Sequence, residues 1–156
     1  MGNIFAASEV VSLGIEIEKN GRAFYLALAE QSANQKTKDV FMHLAAEEEK
    51  HIIVFEKILS QAEQYEPTGV ADDYWAYMRA LAGECVFTQH QKGTQIAQAI
   101  KSDGQAVDMG IGFEKDSIVF YEGIKKAVPP VDMRIIDDVI VQEQRHLAAL
   151  IDLKNA

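Results

Sequence analysis

The sequence is short of cysteine: Cys85 stands alone among 156 residues. One thiol excludes an internal disulfide and a CxxC metal knuckle, and suits a reducing compartment. Three prolines and ten glycines are too few for a turn-rich all-β chain. Basic residues are also scarce, 15 Lys and Arg against 24 Asp and Glu, for a net charge of −9. Such a balance lacks the basic face that phosphate backbones require, so no nucleic-acid partner is expected. No run approaches the roughly eighteen apolar residues of a membrane span. The opening MGNIFAASEVV has no basic region and is interrupted by Glu9, so it does not read as a secretory signal. It places Ala6 where N-myristoylation requires Ser or Thr. A cytoplasmic protein without a membrane partner is the expectation.

What the chain does have is helical periodicity. Its length fits one domain, 1–156, with a sizeable core. Ser8 is the expected N-cap of a first helix over 8–31, whose apolar stripe is Val11, Ile15, Gly21, Tyr25 and Leu28. Gly21 on that stripe either admits a close neighbour or is merely tolerated. The connection SANQK, 32–36, leads to a second helix over 37–64, with Phe41, Leu44, Ala45, Ile52, Phe55, Leu59 and Ala62 inward. His43 and Glu47 fall off that face and read as surface. Residues 65–102 form a long crossover, with a helix opening at Asp72 or Asp73 and a shorter one, 94–101, after a break at Gly93. Trp75 and Tyr77 read as packing residues. Ser102 and Gln105 form a capping box for the third helix, whose stripe is Val107, Ile111, Ile118, Tyr121, Ile124 and Val128. Pro129 and Pro130 stop it. Asp132 is the expected cap of a fourth helix to about 153, with Ile136, Val139, Ile140, Leu147 and Leu150 inward.

Six polar residues interrupt these stripes: Glu18, then Glu48 and His51, then Glu114, then Glu143 and His146. Each Glu-x-x-His pair follows, by 29 or 30 residues, a Glu seven positions ahead of Tyr25 or Tyr121. The halves match: Glu18 to Glu114 is 96 residues, and Glu48 to Glu143 and His51 to His146 are 95 each. If antiparallel helices bring these residues to one depth, the turns must lie midway, at 33 and 128.5, where SANQK and the proline pair stand. Each interrupting residue then lies about 22 Å from its turn at 1.5 Å per residue. The expected architecture is all-α: a four-helix bundle of two hairpins, about 8–64 and 103–154, joined by the crossover.

Four carboxylates in a dry layer need compensation, and two divalent cations supply it. Oxygen ligands with two imidazoles suit iron or manganese and admit zinc. Residues three apart share a helix face, so Glu48 and Glu143 can bridge while His51 and His146 ligate terminally, with Glu18 and Glu114 as terminal carboxylates. Tyr25 and Tyr121 read either as hydrogen-bond donors to that set or as core tyrosines with a satisfied hydroxyl. Glu84, Cys85 and His90 lie in the crossover. Glu84 is the one that can add a carboxylate, but the set is complete without it.

At EIEKNGRAFY, AAEEEKH, FEKDSIVFY and VQEQRHLAAL the chain resembles the rubrerythrin-related branch of the ferritin-like superfamily. The resemblance implies a ferritin-like four-helix bundle and a site of two iron ions held by the six residues named above. It implies an oxidoreductase that reduces hydrogen peroxide or dioxygen, or else a non-catalytic iron-handling protein. The chain carries none of the CxxC knuckles of a rubredoxin domain, so electrons are expected from a separate donor protein. A homodimer is the expected assembly, since the long crossover would obstruct the packing of a storage shell.

Overall fold

The computed structural model describes residues 6–156, which form helices and connecting loops with no strand among them. The lipidation reading falls on the N-terminal residues, most of which lie outside the described ones. In chain order the helices are α1 (Ala7–Gln31), α2 (Gln35–Ala62), α3 (Asp72–Glu84), α4 (Lys92–Gln98), α5 (Asp103–Ile124) and α6 (Pro130–Lys154). The four long ones, α1, α2, α5 and α6, make the bundle. α1 packs chiefly on α2 and α5 on α6, as short turns demand, while α4 lies against α1 and α3 against α5.

Three of the four long helices start away from expectation, each for a local reason. Ser8 lies within the first turn of α1, whose N-cap is Ala6 without a side-chain hydrogen bond. α2 begins earlier than expected because the Asn34 side chain accepts from Thr37 N at 3.0 Å, which trims the connection to 32–34. α6 begins at Pro130, where the ring's fixed φ suits the first helical position. Asp132 therefore sits buried within the first turn, near the positive end of the helix, rather than at the cap. Ser102 does cap α5, accepting from Gln105 N at 3.1 Å, but the Gln105 amide turns back to Lys101 N at 2.9 Å.

The stripes bury as expected. Apart from half-buried Leu59, Ile118 and Leu147, every residue assigned to them is enclosed. Each large side chain so buried contributes about 1.5–3 kcal/mol. Trp75 packs into the core, whereas Tyr77 is 50% exposed and does not. Gly21 admits a close neighbour: a Cβ there would stand 2.5 Å from Phe113 Cζ.

One side chain of α1, Asn20, holds the crossover, 63–102, at three points. Asn20 Nδ2 donates to Phe87 O and to Gln89 O, each at 2.7 Å, and its Oδ1 accepts from Gly93 N at 2.9 Å. Gly93 is not a break. It is the second residue of α4, and a Cβ there would collide with the Asn20 carbonyl oxygen. The preceding Gln91 takes the left-handed conformation, φ 57°, that turns the chain into α4.

Candidate metal centre

α1 and α5 each deliver one carboxylate to the middle of the bundle, and α2 and α6 each deliver a Glu-x-x-His pair. The helix repeat requires this, since residues three apart project from one face. Glu18, Glu48, Glu114 and Glu143 are all 0% exposed, and His51 and His146 are buried with them. The two imidazole rings stack, with centroids 5.7 Å apart and planes inclined by 22°.

The ring nitrogens face oxygens. His51 Nδ1 lies 2.7 Å from Glu143 Oε1, 3.5 Å from Glu18 Oε1 and 3.7 Å from Glu48 Oε2. His146 Nδ1 lies 3.3 Å from Glu48 Oε1, 3.6 Å from Glu114 Oε1 and 3.6 Å from Glu143 Oε2. The side chains fall into two sets whose donor atoms lie within 4.8 Å of one another: Glu18, Glu48, His51 and Glu143, and Glu48, Glu114, Glu143 and His146. Glu48 and Glu143 belong to both.

The tyrosines resolve in an unexpected direction. Each lies seven residues from a Glu on its own helix but donates to the Glu of the other hairpin. Tyr25 OH donates to Glu114 Oε1 at 2.7 Å, and Tyr121 OH to Glu18 Oε1 at 2.6 Å. One oxygen of each terminal carboxylate is thereby held and the other left bare. Among the described residues, eight buried ligand atoms have no hydrogen-bond partner: Glu18 Oε2, both oxygens of Glu48 and of Glu143, Glu114 Oε2, and Nδ1 of both histidines.

Buried polar atoms are normally paired, and unpaired carboxylates are costly. Burial lifts Glu18 and Glu114 well above the ordinary carboxylate range, with Glu48 and Glu143, respectively, adding repulsion. Burial and Glu143 raise Glu48 too. The histidines answer in kind. Burial alone would lower His146, but the Glu114, Glu143 and Glu48 carboxylates push it up to about 12. Burial opposes the rise at His51 as well, yet Glu143, Glu18 and Glu48 carry it well above its ordinary value. The centre therefore demands positive charge, and two divalent cations would match four carboxylates. The bare atoms converge as ligands of such ions must.

The crossover contributes nothing to this centre. Glu84 and His90 are exposed, and His90 Nδ1 pairs with Glu16 Oε1 at 3.0 Å. Cys85 is buried elsewhere, where burial first, then Asp116 and Glu84, push its thiol up to about 11. Sequence reasoning overlooked two residues. Gln142 Oε1 accepts from His51 Nε2 at 2.7 Å, and Asn20 clamps the crossover. Both are neutral amides, and nothing in their local pattern marks them.

A helical bundle with carboxylates and Glu-x-x-His pairs buried at its middle defines the class of ferritin-like dimetal carboxylate proteins. The rubrerythrin family model matches residues 9–154, and the chain belongs to the rubrerythrin family. Its fold is similar to the crystal structure of a protein from Thermotoga maritima described as a ferritin-like diiron-carboxylate protein. The TM-score is 0.71 and the identity 23%, over 99% of this chain and 98% of that one. Among curated proteins, none matches the sequence.

Proposed function

We propose that the centre binds two iron ions through Glu18, Glu48, His51, Glu114, Glu143 and His146. On this reading the protein is an oxidoreductase that reduces hydrogen peroxide or dioxygen, with electrons from a separate donor protein. The observation that carries the metal reading is the set of eight buried, unpartnered donor atoms converging from four helices. Family membership supports iron as the metal and a small oxidant as the substrate. When bound, the irons supply electrons and Lewis acidity for the reduction.

The chain's own residues do the rest. Glu48 and Glu143, common to both sets, would serve both ions. Glu18 and Glu114 are terminal, each with one oxygen anchored by a tyrosine hydroxyl and the other free to ligate. The tyrosine hydroxyls would hold these two carboxylates in place while their second oxygens meet a metal. The apolar stripes around them exclude bulk water and strengthen every charge interaction inside. A groove of about 480 Å³ between α2 and α6 is bordered by His146 and brings solvent to the edge of the centre.

Two measurements test the reading. Metal analysis of the protein from its native host should give two irons per chain, and Glu48→Ala or Glu143→Ala should lose at least one. Full occupancy in either variant overturns the assignment. After anaerobic reduction, stopped-flow mixing should show faster oxidation by peroxide than by dioxygen. Equal or slower oxidation by peroxide removes the peroxidase reading and leaves a dioxygen-reducing or iron-handling protein.

A further inference from the structure

The two halves of the centre match in their candidate ligands but not in what stands behind them. His51 Nε2 donates to Gln142 Oε1 at 2.7 Å. With its Nε2 proton held by Gln142, the ring presents Nδ1 to Glu18, Glu48 and Glu143, and Nδ1 is the atom that would meet a metal once its own proton is displaced. Gln142 thus keeps the remaining proton on Nε2 when a metal takes Nδ1, and fixes the plane of the ring.

His146 is supported differently. Among the described residues its Nε2 makes no hydrogen bond, and the ring borders the groove between α2 and α6. The internal repeat shows what is missing. The register that matches Glu143 to Glu48 and His146 to His51 matches Gln142 to Glu47. Glu47 is therefore the counterpart of Gln142 by position, and it lines the same groove. Its carboxylate, however, accepts from Lys50 Nζ at 2.9 Å and leaves the His146 ring unsupported.

We infer that Gln142 is a positioning residue for His51, and that the two metal positions are unequal, with the His51 position tight and the groove-side His146 position exchangeable. This rests on the metal reading above. At the His51 position the ring is already ordered in the folded protein, so binding does not have to order it. At the His146 position no outer hydrogen bond fixes the ring, and His146 itself borders the groove that Glu47 and Gln142 also line. An outer partner of a ligating histidine is worth about 10–100-fold in metal affinity.

Cobalt(II) titration of the metal-free protein against a competing chelator tests this, because each bound ion reports through its visible absorption. Wild type should take up two ions in steps separated by about tenfold or more. Gln142→Leu should weaken the tight step by about 10–100-fold and leave the other within about twofold, so that the steps merge. Gln142→Glu, which keeps an acceptor on Nε2, should hold the tight step within about threefold of wild type. Proton NMR of the cobalt protein supplies a readout that mere loosening would not move. The hyperfine-shifted His51 N–H should exchange slowly with water and the His146 N–H quickly, and Gln142→Leu should abolish the slow signal alone. Equal steps in wild type, a uniform weakening of both steps by Gln142→Leu, or a slow N–H that survives that substitution overturns the inference. No cobalt uptake by wild type overturns the metal reading and this inference with it. Normal uptake that Gln142→Leu leaves unchanged sinks this inference alone.

Discussion

Replacing Asn20 with alanine breaks three hydrogen bonds with one substitution. The Phe87 and Gln89 carbonyls lose the Nδ2 donor, and the Gly93 amide loses the Oδ1 acceptor. A satisfied buried hydrogen bond contributes about 1 kcal/mol net, and a buried group left bare costs about 1–3 kcal/mol. Gln89 is exposed, so its carbonyl regains a water partner. Phe87 and Gly93 are buried, and their backbone groups do not. Two bare groups and one recovered one set the loss at about 3 kcal/mol. For a chain of this size each kcal/mol lowers Tm by about 2–4 °C, so melting should fall by about 6–12 °C. Thermal denaturation followed by helical circular dichroism measures it. Hydrogen exchange locates it: amides over 86–98 should speed up while those at the middle of α2 and α6 keep their protection. Asn20 follows Glu18 by two residues, about 200° round α1, so metal content should stay at the wild-type value. A fall in Tm below about 3 °C, or metal lost along with stability, would refute this account of the clamp.

Other expectations concern the centre and the thiol. Glu18, Glu48 and Glu114 have folded-state values raised first by burial, then by Glu48 at Glu18 and by Glu143 at Glu48 and Glu114. Groups raised in this way stabilise the fold fully below their unfolded value near 4.5, and that stability is lost as pH rises through the folded values. The metal-free protein should therefore melt higher at about pH 5.5 than at about pH 8, and a Tm that climbs with pH over that window contradicts the burial argument. Metal uptake should release protons into weakly buffered solution, and the apparent affinity should rise with pH. Tyr121→Phe leaves Glu18 Oε1 without its donor and should cost about 1–3 kcal/mol of stability in the loaded protein by denaturant titration. A loss below about 0.5 kcal/mol would mean that the hydroxyl does not anchor Glu18. Cys85 should react with iodoacetamide at about pH 8 roughly a hundredfold more slowly than an exposed thiol, since its value lies about two units higher. Labelling at the rate of the unfolded chain would show the opposite.

The candidate centre was legible because charge in an apolar stripe is conspicuous. Glu18, Glu48, Glu114 and Glu143 each break a run of inward-facing residues, and the turns at 32–34 and after Ile124 lie where equal depth requires them. Elements that depend on a partner distant in sequence were not legible. Spacing places Tyr25 and Tyr121 near the ligand set without naming their partners, which lie 89 and 103 residues away. Gly93 was read as a local break, whereas its missing side chain makes room for the α1 backbone. Gln142 carries no charge, so it left no mark on the pattern until His51 was seen beside it. The displaced caps at Ser8 and Asp132 are smaller misses, in which the helix simply starts a residue or two earlier than its best capping side chain.

The crossed tyrosines change how the two hairpins depend on each other. Each hairpin holds a hydroxyl that only the opposite hairpin's carboxylate can use, and each lends one carboxylate to both sets of ligand atoms. Neither hairpin can therefore assemble half of the centre alone: drawing them apart dismantles both sets together. A single hairpin bearing Glu, Tyr and Glu-x-x-His would, however, find in a second copy of itself everything that this chain finds in its other half. On that view the crossover between α2 and α5 turns a pairing of equals into one chain, whose halves need not carry the same support at matching positions, as Gln142 and Glu47 do not.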